Sequence, residues 1–285
     1  MKCPKFLAYA LILGMLPISL PARAAEKQPI EVIEDNSFLI EEAYNQEPGV
    51  VQHSFSTVYN RDSQHRGWTF NFTQEWPVFS QDHQFSYTVP SYHFVDGPDR
   101  IHGLGDITLN YRYQAFDEGE LKPAFAPEFS LILPTGNRNR GTGDGVVGYQ
   151  WTLPFSKKLT SRFAMHGNLG VTYLPHVRAR LGGSTGPLSP RHSLVSYNLG
   201  ASGIFAIVPR FHLMLEWIGD FEESINDAGK PKRAFQPVIA PGFRAAAVNQ
   251  EKWQVVVGAA APVGLNRKAD NYGALLYLSI EHDFQ

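Results

Sequence analysis

Cysteine is nearly missing from this chain: of 285 residues only Cys3 is one. It precedes an apolar run at 6–20 that reads as an export signal, so the mature chain is expected to hold no disulfide and no Cys-based metal site. Long hydrophobic runs are missing too. Beyond residue 25 no apolar stretch approaches the roughly 18 residues that a membrane-crossing helix needs. Mean hydropathy is −0.22, which excludes a helical membrane protein and nothing else. A membrane-crossing strand takes only about 9–11 residues, half of them polar. Excess positive charge is absent: the net charge is −2, and it falls to −5 once Lys2, Lys5 and Arg23 leave with the signal. Nucleic acid is therefore not an expected partner. Catalytic signatures are also lacking. There is no GxSxG and no HExxH, and the glycine-rich stretch 141–145 lacks the GK[ST] ending that a phosphate-binding loop requires.

What the chain has in quantity is alternation. In 103–116, Ile107, Leu109, Tyr111 and Tyr113 alternate with Thr108, Asn110, Arg112 and Gln114. A strand turns successive side chains to opposite faces, so this stretch has one apolar face and one polar face that carries a full arginine. The pattern recurs over 51–59, 68–78, 83–93, 124–133, 147–153, 163–173, 195–202, 211–217, 235–244, 253–261 and 272–284, giving twelve candidate strands. The stretch 253–261 is apolar on both faces and its register is open. Long polar links at 60–67, 95–102, 134–143, 174–191, 219–232 and 262–271 alternate with short ones at 79–82, 117–120, 156–159, 207–210 and 249–252. Short turns on one side and long loops on the other are the habit of an up-and-down barrel in an outer membrane.

The N-terminal segments differ. Lys2 and Lys5, the apolar run and Ala22-Arg23-Ala24 predict a signal peptide over 1–25, cut after Ala24 or Ala25. An uncleaved anchor is the alternative, disfavoured by the short run and by Pro17. Residues 26–49 are acidic and have no sustained period of two. They read as a short periplasmic arm leading flexibly into a barrel domain over 50–285, with a short helix expected at 38–43. A lumen plug or a contact for an energy-coupling partner is the second reading of this arm.

Alternation alone does not say which face is inside, because a soluble barrel buries its apolar face and a membrane barrel exposes it. Twelve strands enclose more space than a dry core of side chains would fill. The apolar face carries aromatic residues near strand ends, among them Tyr59, Trp68, Trp76, Trp151, Trp217 and Tyr272, where rings favour the headgroup region. The polar face carries Glu75, Arg112, Glu128, Arg162, His166, His212, Glu216, Arg244 and Glu281. The expected fold is thus all-β: a single up-and-down antiparallel transmembrane β-barrel of about 12 strands, with these nine residues lining the lumen.

At Gly103-Leu104-Gly105-Asp106, Leu133-Pro134-Thr135-Gly136 and 141–145 (GTGDG) the chain resembles a family of outer-membrane barrels, often labelled transporters, first linked to meta-pathway phenol degradation. The resemblance spans roughly 103–284. It implies an outer-membrane channel for small molecules, aromatic or hydrophobic compounds among them, and supplies no catalytic residues.

Charged rings in a narrow pore select solutes; equally, paired charges brace a wall. Arg112, Glu128, His166 and Glu216 are expected at the narrowest level. Rival classes are a lipid-acting barrel enzyme, with His53 and Ser54 or His192 and Ser193 as candidates, and a surface-binding barrel whose loop 174–191 offers His176, Arg178, Arg180 and Arg191 to phosphates. Adjacent strand residues point apart, which speaks against either Ser–His pair. No cofactor or metal is expected. Expected partners are outer-membrane lipid, a small-molecule solute and the barrel insertion machinery, which reads a terminal aromatic; here Phe284 is penultimate.

Overall fold

The computed structural model describes residues 30–33, 35–61, 65–96, 99–181, 186–250, 252–270 and 272–284; the expected signal peptide lies outside them. Fifteen β segments occur among these residues. They are β1 (Val50–Arg61), β2 (His65–Val78), β3 (Ser80–Asp96), β4 (Asp99–Leu104), β5 (Ile107–Tyr113), β6 (Ala124–Phe125), β7 (Glu128–Leu133), β8 (Gly148–Thr160), β9 (Phe163–Val177), β10 (His192–Val208), β11 (Phe211–Ile225), β12 (Pro231–Gln250), β13 (Trp253–Ala260), β14 (Val263–Gly264) and β15 (Tyr272–Asp283). The short β4, β6 and β14 only extend neighbouring strands. The other twelve pair antiparallel, each with its sequence neighbours, and β1 closes the ring on β15 from Val50↔Asp283 to Arg61↔Tyr272. A closed ring leaves no strand edge with unpaired backbone groups, which the hydrocarbon layer demands.

The apolar faces point outward. Along β11, His212 and Glu216 are fully buried while Leu213 and Leu215 are about half exposed (47% and 52%). Trp151, Leu153 and Phe155 of β8 repeat this, as do Tyr111 and Tyr113 of β5. So broad an exposed apolar band is foreign to a soluble monomer. It suits lipid. Cross-strand ring pairs lie on the same outer face, such as Tyr59–Trp68 at 4.9 Å and Phe125–Phe155 at 4.7 Å.

Both described ends of the barrel strands, Val50 and Asp283, sit on one side, with Phe79, Lys252 and the two-residue turns 161–162 and 209–210. This is the turn side; the loop side carries the longer links. The strict alternation of link lengths fails at 114–127, which is long yet lies on the turn side. That link is folded back onto the wall: Phe125 pairs with Phe155, and Glu118 receives Lys157 Nζ at 2.8 Å and Lys158 N at 2.8 Å. Conversely, the described residues of 60–67 and 95–102 are strand, because β1–β2 and β3–β4 keep pairing there.

The segment from Ile30 to Gly49 is neither a helix nor a flexible lead-in. It lies inside the ring. Its polar groups meet β1, β2, β3, β5, β8, β9, β10, β11, β12 and β15, a set of contacts available only from the lumen. It enters at the turn side, where Val32 N donates to Ser161 O at 3.1 Å, and returns there, where Asn45 N donates to Gln114 Oε1 at 3.3 Å. A helix at 38–43 would satisfy its own N–H groups. Here the wall satisfies them instead, and the backbone stays bent.

Candidate functional site: a filled lumen with cavities beside the arm

Two arginines of the wall organise the arm. Arg244, central in β12 and fully buried, faces inward because its strand neighbours Phe243 and Ala245 take the other face. Its Nη1 donates to Asp35 O (2.6 Å), Asn36 O (3.1 Å) and Glu42 Oε1 (3.4 Å), and its Nη2 to Ile33 O (2.5 Å). Arg112 of β5 does the same on the opposite side of the arm's bend. Nε donates to Asn45 Oδ1 (3.0 Å), Nη1 to Glu42 O (3.1 Å) and Glu41 Oε2 (3.3 Å), and Nη2 to Tyr44 O (3.3 Å) and Glu75 Oε2 (3.4 Å). A guanidinium offers five donors in a fixed fork, which suits it to gathering carbonyls from an irregular chain.

Carboxylates and amides take the arm's N–H groups. Glu216 Oε1 accepts from Phe38 N (3.0 Å) and Leu39 N (3.2 Å). Asn168 Oδ1 accepts from Glu41 N at 2.7 Å, Ser156 Oγ from Ala43 N at 2.7 Å, and Gln84 Oε1 from Gln46 N at 2.8 Å. His166 sits beside this row, with Nδ1 2.8 Å from Ser156 Oγ and Nε2 3.6 Å from Glu42 Oε1. Apolar contacts complete the fit. Val32 packs with Ile204, Ala206 and Met214, and Ile33 with Val256, Leu275 and Tyr277. This is why 253–261 is apolar on both faces: one side meets lipid, the other meets the arm.

Of the nine residues expected in the lumen, eight face inward. Glu75, Arg112, His166, His212, Glu216 and Arg244 are buried, and Glu128 and Glu281 are half-buried. Arg162 is not among them. It lies exposed in the two-residue turn between β8 and β9, where a register shift between Lys158 and Thr160 ends the alternation. The four residues expected at one narrow level divide in role. Arg112, His166 and Glu216 are taken up by the arm, whereas Glu128, directly opposite Arg112 in the β5–β7 register, borders open space. The sequence reading missed Asp35, Asn36, Glu41, Glu42, Gln52, Asn168 and Asp220. The one available signal was the cluster of apolar residues Ile30, Val32, Ile33, Phe38, Leu39 and Ile40 within an otherwise acidic arm.

Space remains beside the arm. A cavity of about 310 Å³ lies above its bend toward the loop side, bordered by Glu41, Glu128, Asn168 and Asp220. A second of about 210 Å³ shares Glu41 and Glu128 with it and reaches Asn36 and Glu75. A third of about 230 Å³ lies at the turn side and also touches Asn36. Asn36 Nδ2 donates to Gln52 Oε1 (3.0 Å) and Glu75 Oε1 (3.2 Å), so this amide is part of the hydrogen-bonded layer between the inner and the turn-side space.

The sequence motifs meet on the loop side. Asp106 Oδ1 accepts from Gly136 N and Oδ2 from Asp144 N, both at 2.8 Å, while Thr135 Oγ1 donates to Gly105 O at 2.9 Å. The GLGD, LPTG and GTGDG stretches are thus one clasp, with no phosphate-binding geometry. Burial, with Asp106 and Glu222 nearby, raises the Asp144 carboxyl above its usual range.

Residues 49–174 match the family described as "Putative MetA-pathway of phenol degradation". This is the family that the three motifs resemble. No curated protein sequence matches the chain. Among solved structures, the COG4313 outer membrane channel from Pseudomonas putida F1 aligns with a TM-score of 0.63 at 14% identity, covering 84% of this chain and 97% of that one. At that identity the likeness shows the fold: an outer-membrane β-barrel. The NanC porin (10% identity, 81% and 98% covered) and the β domain of the Bordetella autotransporter BrkA (12%, 83% and 99%) align at TM-scores of 0.49, too low to carry an argument.

Proposed function

We propose that the protein is a passive channel of the bacterial outer membrane, through which small molecules cross along the cavities between arm and wall. The observation that carries this is the three-cavity series. It runs from the loop side to the turn side of a closed, lipid-facing barrel, and between the inner and turn-side cavities stands the hydrogen-bonded layer of Asn36, Gln46, Gln52, Glu75 and Gln84. The family description points to aromatic compounds as the solute class. In the same reading the chain is exported with cleavage near Ala24 or Ala25, and the barrel insertion machinery receives a last strand whose Phe284 is outward and exposed.

The channel reading is favoured over a barrel enzyme by where the Ser–His candidates stand. Ser54 borders the inner cavity, whereas His53 stacks outside on Phe72 and His282. His192 Nε2 lies 2.9 Å from Gly229 O, and Ser193 Oγ accepts from Tyr173 Oη. In neither pair does the histidine meet its neighbouring serine among the described residues.

Refolded protein in planar bilayers and in swelling liposomes tests the reading. Discrete conductance steps and swelling in small phenols are expected. A silent bilayer together with unswollen liposomes would overturn it.

A further inference from the structure

The charges bordering the open space are of one sign. The two inner cavities are bordered by Glu41, Glu75, Glu128 and Asp220, and by no lysine or arginine. The turn-side cavity adds Asp35, Glu42, Glu47, Glu281 and Asp283 against Lys252 and His282. The wall is not short of basic residues; it has spent them. Arg112 and Arg244 direct their donors at arm carbonyls and at Glu41, Glu42 and Glu75, and neither borders any of these three cavities. Asp35 is 7% exposed, borders the turn-side cavity, and its Oδ2 has no hydrogen-bond partner among the described residues. Field lines from one-signed walls concentrate in a narrow, weakly polarisable passage, so a few carboxylates suffice to set which ions enter.

We infer that the conduit admits cations and neutral solutes and turns anions away. This rests on the channel reading and narrows it: among aromatic solutes, phenols and aromatic amines are accepted and aromatic carboxylates are not. The arm creates this selectivity. It brings Glu41 and Asp35 into the passage while occupying the two arginines that would oppose them.

The test is the reversal potential of single channels under a potassium chloride gradient, followed by bi-ionic measurements with benzylammonium chloride and potassium benzoate. Potassium should exceed chloride by at least about threefold, and benzylammonium should exceed benzoate in the same sense. The variant Glu41→Gln/Glu128→Gln/Asp220→Asn should bring both ratios close to one while discrete openings persist. Each substitution keeps size and hydrogen bonding, and heat-modifiable migration on gels reports that the barrel is intact. Should that triple variant not fold, Glu128→Gln alone must lower the ratio. Channels that open but favour chloride, or are indifferent, overturn the inference and leave the channel reading standing. Selectivity unchanged in the variants overturns the assignment to these carboxylates. No openings at all overturn the channel reading and the inference with it.

Discussion

Gly200 of β10 lies so close to Ile40 at the arm's bend that a Cβ added to the glycine would overlap Ile40 Cγ2. After two atoms of Ile40, the next nearest is Asn168 Cβ, at ordinary contact distance. Gly200 has no left-handed backbone to protect, so its smallness serves the arm and not the strand. Gly258 repeats the arrangement against the ring of Phe38, though there a Cβ would also crowd Phe243 O.

Gly200→Ala is therefore expected to lift the bend of the arm off the wall while sparing the barrel. Overpacking of this kind costs about 1–3 kcal/mol, set against the docking of the arm. Unit conductance should rise and protease cleavage within 30–49 should become faster, with unchanged barrel migration on gels. Conductance and cleavage both equal to the parent would show that the contact does not hold the arm.

Arg244→Ala removes the hub that gathers the carbonyls of Ile33, Asp35 and Asn36, and leaves Glu42 without its cation. Breaking a buried pair from one side costs about 3–5 kcal/mol. The expected outcome is a lower thermal transition together with a larger, noisier conductance. Arg244→Lys should recover only part of either, because an ammonium cannot reproduce the fork that reaches three carbonyls at once.

Asp106→Ala takes the acceptor from Gly136 N and Asp144 N, two backbone donors that the clasp leaves with no other arrangement. Hydrogen bonds to a charged group are worth about 1.5–3 kcal/mol each. The loss should appear as proteolysis within 134–147, with conductance steps preserved, since the clasp sits outside the cavities. Asp106→Asn should fall between the two, retaining one acceptor.

Glu118 gives the structure a pH dependence at the turn side. Burial works to raise its carboxyl, but hydrogen bonds from Lys157 Nζ, Tyr44 Oη and Lys158 N outweigh burial and hold it below the usual carboxylate range. A depressed folded-state value means that the stabilisation is present above the unfolded carboxyl's pKa, about 4.3. It is lost as pH falls through the lower folded value. Thermal transitions of the parent and Glu118→Gln should differ at pH 7 and converge once the pH falls below the folded value. The arm should also loosen at Tyr44, whose hydroxyl donates to Glu118 at 2.7 Å. A difference that persists undiminished into acid would remove Glu118 from this role.

Much of the wall was legible because a strand in a barrel obeys a local rule. Residues such as Leu213, Leu215, His212 and Glu216 are sorted by parity alone, and parity is written in the sequence. The twelve strands follow from it, and the sense of the inversion follows once their number and the aromatic residues near strand ends are added. Where parity stopped, the reading erred: Arg162 shares the parity of Ala164 and His166, but a register shift and a two-residue turn take it off the wall. Glu128 and Arg112 are direct cross-strand partners, yet Arg112 bonds to the arm and to Glu75 instead. Nothing in their spacing could show that a third chain segment competes for the guanidinium.

The sequence by itself determined a closed barrel with its grease outside, because alternation in each strand is a one-dimensional signal and the strand number and terminal aromatics say which face meets lipid. The tertiary structure alone decided what fills that barrel. The surface receiving the arm is assembled from ten strands that lie far apart along the chain, and the arm has no periodicity of its own. Its shape is set by where those strands place Arg112, Arg244, Glu216 and Gly200 once the ring has closed.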